Sequence, residues 1–243
     1  MISQRRTNPA ADRLLTSRNK TCLQNQTSLF VDCRHSLQRE TANLPTDLPS
    51  EETDVPTEEL VVLVDESNTA IGTCPKALVH TGDTPLHRAF SCFVFNQRGE
   101  LLLQQRSRTK KTWPLVWSNS CCGHPQPEES SLAAVGRRLK QELRLQPTQI
   151  FEVLPDYRYR AEHLGVVENE ICPVYVCWSE QTPVLDPAEV EACRYTNWSD
   201  FIAALRDPAD TDFDGFSPWC REESLLLDES EQFQQLWKLH TLH

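Results

Sequence analysis

Five residues offer a divalent cation suitable donors. His80 and His87 lie seven residues apart, around a polar Thr-Gly-Asp-Thr-Pro stretch, and His124 follows Cys122-Gly123. Glu168 and Glu170 stand two apart in Val-Val-Glu-Asn-Glu-Ile, so on a strand both carboxylates share a face. Imidazole and carboxylate suit zinc, manganese or iron. Three His and two Glu could supply five positions of an octahedron. Taken alone, each of these histidines reads as an exposed or hydrogen-bonded loop residue, and the glutamates read as a solvated strand face. His35, His163, His240 and His243 fit no cluster.

The stretch Ser118-Asn-Ser-Cys-Cys-Gly-His-Pro125 places two cysteines just before a helix signal. Gly123 permits a tight backbone path. A cysteine near a helix N-terminus and a metal site can have an altered pKa, although two buried small residues are the plainer reading. Arg106, Lys110 and Lys111 follow a strand and project from one loop. Arg138 and Glu142 are four apart, so they share a helix face, as an ordinary surface pair also would. For Lys76 and Lys111 a solvated charge is the simpler account. Trp219 offers either core packing or a π face to a cation.

These residues need a scaffold. Leu60–Val64 reads as a strand ending at a Ser67-Asn68 turn, and Phe90–Phe95 and Leu101–Gln105 read as a hairpin around Asn96–Gly99. Both hairpin strands are apolar at nearly every residue, which predicts burial on two faces. Residues 128–143 read as a helix with acids in its first turn and a stripe of Leu132, Val135, Leu139 and Leu143. Glu170–Trp178 reads as an edge or bulged strand because of Pro173, and Glu191–Trp198 as a further strand. Ser199 caps a short helix to Arg206, and Ser217-Pro218 opens another. This order predicts a mixed sheet with helices packed on it.

Composition narrows the class. The chain has 243 residues, enough for one domain with a sizeable core and a tail. A net charge of -11 argues against nucleic acid as a partner, and no run approaches the roughly 18 apolar residues a membrane span needs. Ten cysteines without paired spacing or a signal peptide read as thiols in a reducing cytoplasm. Residues 1–56 read as a disordered linker tail, because positions 41–59 carry six acids, three prolines and no base. The Arg- and Ser-containing start resembles a transit peptide, but Asp12, Asp32 and Glu40 interrupt it. A dispensable tail or a misplaced start codon accounts for it better.

Read together, the stretches HTGDTPLHRAFS, LLLQQRSRTKKTWPLVWSNSCCGHP, RRLKQEL, PDYRYRA, VENEICPV and FSPW resemble the type 1 isopentenyl-diphosphate isomerase family over roughly residues 59–240. The resemblance implies an α+β fold: a Nudix-like mixed β-sheet sandwiched between helices, over residues 57–243. It implies an enzyme that moves the double bond of isopentenyl diphosphate to give dimethylallyl diphosphate. Cys122 and Glu170 would move protons on opposite faces of the substrate. Tyr159 would assist at the carboxylate, and Trp219 would face the reacting carbons. Glu170 with Tyr159 would deliver the proton, and a Cys122 thiolate would remove one.

The resemblance also implies that Lys76, Arg106, Lys110 and Arg138 bind the diphosphate. His80, His87, His124, Glu168 and Glu170 would hold one Mn2+, Zn2+ or Fe2+, and Glu142 would bind a Mg2+ that accompanies the substrate. A monomer with a small-molecule substrate, and with neither nucleic acid nor membrane as partner, is expected. The same region overlays a damaged Nudix box in which Gly123, Glu129, Arg137, Leu139 and Glu142 fit. Arg138 and Gln141 replace metal-binding acids, which argues against the alternative of a diphosphate hydrolase, and Arg144 replaces a Gly.

Overall fold

The computed structural model describes residues 59–207, 209–213 and 215–241; the tail expected at residues 1–56 lies outside them. Along the chain the elements are β1 (Leu60–Val64), β2 (Ala70–Pro75), the single-turn α1 (Lys76–Val79), β3 (His87–Arg88), β4 (Phe90–Phe95), β5 (Glu100–Arg106), β6 (Trp117–Ser118) and β7 (Cys121–Gly123). There follow α2 (Ser131–Leu143), β8 (Ile150–Leu154), β9 (Arg158–His163), β10 (Val166–Ile171), β11 (Val174–Trp178), β12 (Val190–Asn197), α3 (Trp198–Arg206), α4 (Pro218–Glu229) and α5 (Glu231–His240).

The strands form two sheets. The order β12-β5-β4-β11-β8 makes the larger one, with β6 added on β5 and β7 on β4. It is mixed, since β11 runs parallel to β4 and the other pairs are antiparallel. Alternation along β4 explains its unbroken apolarity. Phe93 and Phe95 point into a core with Trp198, Phe201, Leu227 and Phe233 of α3, α4 and α5. Phe90, Cys92 and Val94 point the other way, onto Val135, Leu139 and Leu143 of α2. Helices therefore cover both faces, and each fully buried aromatic or aliphatic side chain contributes about 1.5–3 kcal/mol.

The smaller sheet, β2-β1-β3-β10-β9, was not anticipated. Its origin is Pro173. The expected strand Glu170–Trp178 is in fact two strands, β10 and β11, that belong to different sheets. Proline has no N–H to give a ladder, and Pro173 sits at the hand-over. The backbone contacts continue through the break, with Ala89 N–H donating to Ile171 O (2.9 Å) and Ser91 N–H to Pro173 O (3.1 Å).

Helix boundaries also differ from expectation. Residues 128–130 precede α2: Glu128 has φ 66°, and the Ser130 side chain caps by accepting from Ala133 N–H. No acid lies in the first turn, because the helix begins at Ser131, after both glutamates, and Glu129 pairs with Arg137 (2.7 Å). Leu132 is half exposed, so the buried stripe is Val135, Leu139 and Leu143. Asn197, not Ser199, caps α3, since its side chain reaches Asp200 N–H. Ser217 precedes Pro218 at the start of α4 as expected, but its hydroxyl is bound to that of Ser118 (2.8 Å) and does not cap.

Candidate active site

Strand register assembles the metal cluster. Glu170 on β10 lies directly beside His87 on β3 and beside Tyr159 on β9. His80 follows α1, and His124 follows β7. One donor atom each from His80, His87, His124 and Glu170 fall within 4.8 Å of one another. Glu168 joins from the same strand face, with its Oε2 2.9 Å from His80 Nε2. Neither of those atoms has hydrogen-bond geometry toward any partner, and His87 Nε2 is likewise orphaned. Buried donors that crowd together without bonding to each other aim at a common point. His87 Nδ1 meets Pro85 O at 2.9 Å, which leaves Nε2 with its lone pair, as ligating histidines require. The residues therefore fit a divalent cation. Burial lowers the His124 pKa to about 3, keeping it neutral. Burial also disfavours the Glu170 carboxylate, but His124 and His87 outweigh it and hold the group well below the usual range.

A cavity of about 380 Å³ opens beside this cluster, and Cys122, Tyr159, Glu170 and Trp219 all line it. Cys122 comes from the larger sheet, where it pairs with Ser91, while Glu170 comes from the smaller sheet. The Cys122 thiol donates to Asn119 Oδ1 (3.1 Å) and lies 3.5 Å from Ser91 Oγ. Asn119 is fixed in that orientation because its amide N–H groups reach Cys92 O and Cys121 O. Burial, aided by the Glu223 carboxyl, pushes the Cys122 thiol up to about 12. These surroundings disfavour the thiolate expected of Cys122. Trp219 is buried, edge-on to Trp113 (5.0 Å) and tilted against Tyr159 (5.3 Å). Those three rings form one aromatic wall. Burial, followed by Glu170, raises Tyr159 well above its ordinary value, so it stays a neutral phenol.

Five bases, Lys76, Arg106, Lys110, Lys111 and Arg138, also line the cavity. Lys76 opens α1. Arg106 ends β5, and its guanidinium donates to Thr112 O and Oγ1 (3.1 Å each from Nη2), closing the 107–112 loop. Arg138 and Glu142 share a face as their spacing requires. The pair is buried, however, with a shortest contact of 2.6 Å, and is no surface pair. Glu142 also accepts from the Cys121 thiol (3.6 Å) and is not among the residues that line the cavity.

Residues 85–220 match the NUDIX domain. The chain is 50% identical over 172 residues to an isopentenyl-diphosphate Delta-isomerase of Saccharopolyspora erythraea, covering 70% of this chain and 87% of that protein. It is 52% identical over 170 residues to the isopentenyl-diphosphate Delta-isomerase of Clavibacter sepedonicus, covering 70% and 87%. The chain belongs to the isopentenyl-diphosphate Delta-isomerase family. Its backbone is also similar to DR0079 of Deinococcus radiodurans, with a TM-score of 0.53 at 17% identity, covering 68% of this chain and 97% of that one; this bears on the fold alone.

Several contributors to the isomerase cavity escaped sequence reading. Glu59 was placed at the edge of the tail, yet it lines the cavity and pairs with Lys76 (2.7 Å). Glu189 carries no signal in its neighbourhood, but it pairs with Lys110 and Arg138. Asn119 stands in the reactive stretch and was visible there without a role. Glu223, one turn after Trp219, is fully buried with both carboxylate oxygens unpartnered, and burial raises it well above the usual carboxylate range. Of the histidines set aside, His163 stacks on Trp113 at 4.6 Å. Gly123 is required for close approach and not for its backbone angle, since a Cβ there would meet Phe90 Cζ at 3.0 Å and Arg138 Cγ at 3.1 Å. Among the described residues no helix is long and apolar enough to cross a membrane.

Proposed function

We propose that this chain interconverts isopentenyl and dimethylallyl diphosphate, as an enzyme acting in the cytoplasm, with Cys122 and Glu170 as the proton-moving pair. The observation that carries the reading is the mixed lining of one cavity. Cys122, Tyr159, Glu170 and Trp219 line it together with Lys76, Arg106, Lys110 and Arg138. That is the layout a substrate with a short hydrocarbon and a diphosphate requires.

The bases take the diphosphate through charge-assisted hydrogen bonds. This anchors the alkene between a residue of each sheet, and positioning alone can lower a barrier by several kcal/mol, roughly 7–11 at its limit. The member of the pair that carries a proton adds it to the terminal methylene. Its counterpart removes a proton from the adjacent CH2, and the opposite loading runs the reaction backwards. Positive charge develops on the tertiary carbon between these steps. The Trp219 face stabilises it by cation–π attraction, about 2 kcal/mol or more in a desolvated site, and the aromatic wall excludes water that would capture it. Tyr159, a neutral phenol in register beside Glu170, would offer its hydroxyl as a hydrogen-bond donor on that side of the substrate.

His80, His87, His124, Glu168 and Glu170 would hold a divalent Mn2+, Zn2+ or Fe2+, which when bound fixes the Glu170 carboxylate and offsets its charge. A Mg2+ accompanying the diphosphate belongs to the same reading; Glu142 would be its protein carboxylate only by giving up its present partners, Arg138 and the Cys121 thiol. Proton NMR of isopentenyl diphosphate with the protein and Mg2+ in D2O tests the proposal. Dimethylallyl diphosphate with incorporated deuterium is the expected product. Release of inorganic phosphate or diphosphate instead would favour hydrolysis, against which Arg138 and Gln141 stand at box positions that need acids.

A further inference from the structure

Three of the four bases assigned to the diphosphate already have carboxylate partners from the chain itself. Glu59 Oε2 lies 2.7 Å from Lys76 Nζ, and its Oε1 lies 3.4 Å from Arg138 Nη1. Glu189 Oε2 lies 3.1 Å from Arg138 Nη2 and also meets Lys110 Nζ. Both acids line the cavity, whereas Glu142, the third carboxylate partner of Arg138, is not among its lining residues. Arg138 is thus engaged on every side of its guanidinium, and an anion entering the cavity must contend for N–H groups already in use.

We propose that Glu59 and Glu189 determine specificity by setting a charge threshold: they hold the bases against weakly charged anions and yield them to a diphosphate. The inference rests on reading these bases as the diphosphate site. A single phosphate carries close to two charges and reaches one or two bases, so it gains little by displacing a carboxylate already seated. A diphosphate carries more charge on two linked groups. It engages the Lys76–Arg138 side and the Lys110–Arg106 side together, and each contact raises the effective concentration of the next. The threshold persists across working pH. Burial opposes the charge on Glu189, but Arg138 and Lys110 outweigh it and hold its pKa at about 2. Glu59 is likewise lowered, by Lys76 and Arg138 acting against burial. Monophosphate esters of the same alcohols, and inorganic phosphate, would be kept out of a cavity whose bases could otherwise bind them.

The test is calorimetric titration of the full chain with inorganic phosphate and with inorganic diphosphate, at fixed Mg2+ and ionic strength. Wild type, Glu189→Gln and Glu59→Gln are compared. In Glu189→Gln, phosphate affinity should rise on the order of tenfold while diphosphate affinity changes less than about threefold, so the preference narrows. Glu59→Gln should shift the same way by less, because Glu59 is more exposed. It also carries the test if Glu189→Gln does not fold. An unchanged ratio, or equal weakening of both anions, would overturn the threshold and leave the acids as mere holders of the bases. The NMR assay on wild type runs alongside. If wild type shows no isomerisation while the ratio shifts, the substrate reading falls and the threshold stands. With turnover present and the ratio fixed, only the threshold falls.

Discussion

The titratable residues of the cavity are biased by their neighbours toward particular protonation states. Cys122 sits where desolvation favours the thiol, pushing its pKa up to about 12. Replacing it by Ala should cost at least a hundredfold in turnover, read by NMR, with the melting temperature and metal content little changed. Glu189 makes a pH prediction. Its folded pKa of about 2 lies below the ordinary 4.5, so its ion pairs stabilise the fold fully above about pH 4.5. That contribution, on the order of 3 kcal/mol, is lost as pH falls toward 2. Thermal melts of Glu189→Gln should therefore run closer to wild type at pH 2.5 than at pH 6. The His, Cys and Glu members of the site stand out by type and short spacing, but their roles, and Tyr159 altogether, come only with the family resemblance. Glu59 and Glu189 were not legible, because a carboxylate's role as partner to a distant base has no local signature.

At the level of elements, the sequence pattern located most segments, and its failures have local causes. Pro173 was read as an irregularity within one strand, but it is the point where the chain changes sheets. Periodicity cannot show which neighbour a strand will find. In α2 the stripe marked the buried face, while the start moved to Ser130 because a side-chain cap satisfied the first N–H groups. Arg144, the departure from the family's Gly, ends α2 at φ 57° and supplies its N–H to Leu139 O and Lys140 O. A side chain in that left-handed conformation costs about 1 kcal/mol or more relative to Gly. Arg144→Gly should raise stability by roughly 0.5–1 kcal/mol in denaturant titrations, with activity unaltered. Gly123→Ala should do the reverse and weaken activity as well, because its Cβ would press on Arg138 and Phe90.

For the whole molecule, the candidate site is a junction between two sheets, each supplying one member of the proposed proton-moving pair. Deletion of residues 1–56 should leave turnover within about twofold of the full chain, whereas deletion through residue 60 removes Glu59 and should narrow the anion preference. The hand-over at Cys172-Pro173 has a consequence for how such a protein can change over time. A residue gained or lost between Ile171 and Val174 would slip β10 against β3 and β9, and a one-residue slip turns Glu168 and Glu170 to the opposite face. At the β9–β10 turn, Leu164 (φ 51°) and Gly165 (φ 79°) form a two-residue hairpin loop, so an added residue there would have to change the turn type to keep the register. Lineages carrying this enzyme should therefore keep a constant count of residues both at that turn and through the proline, a rule that a library of single-residue insertions would expose directly.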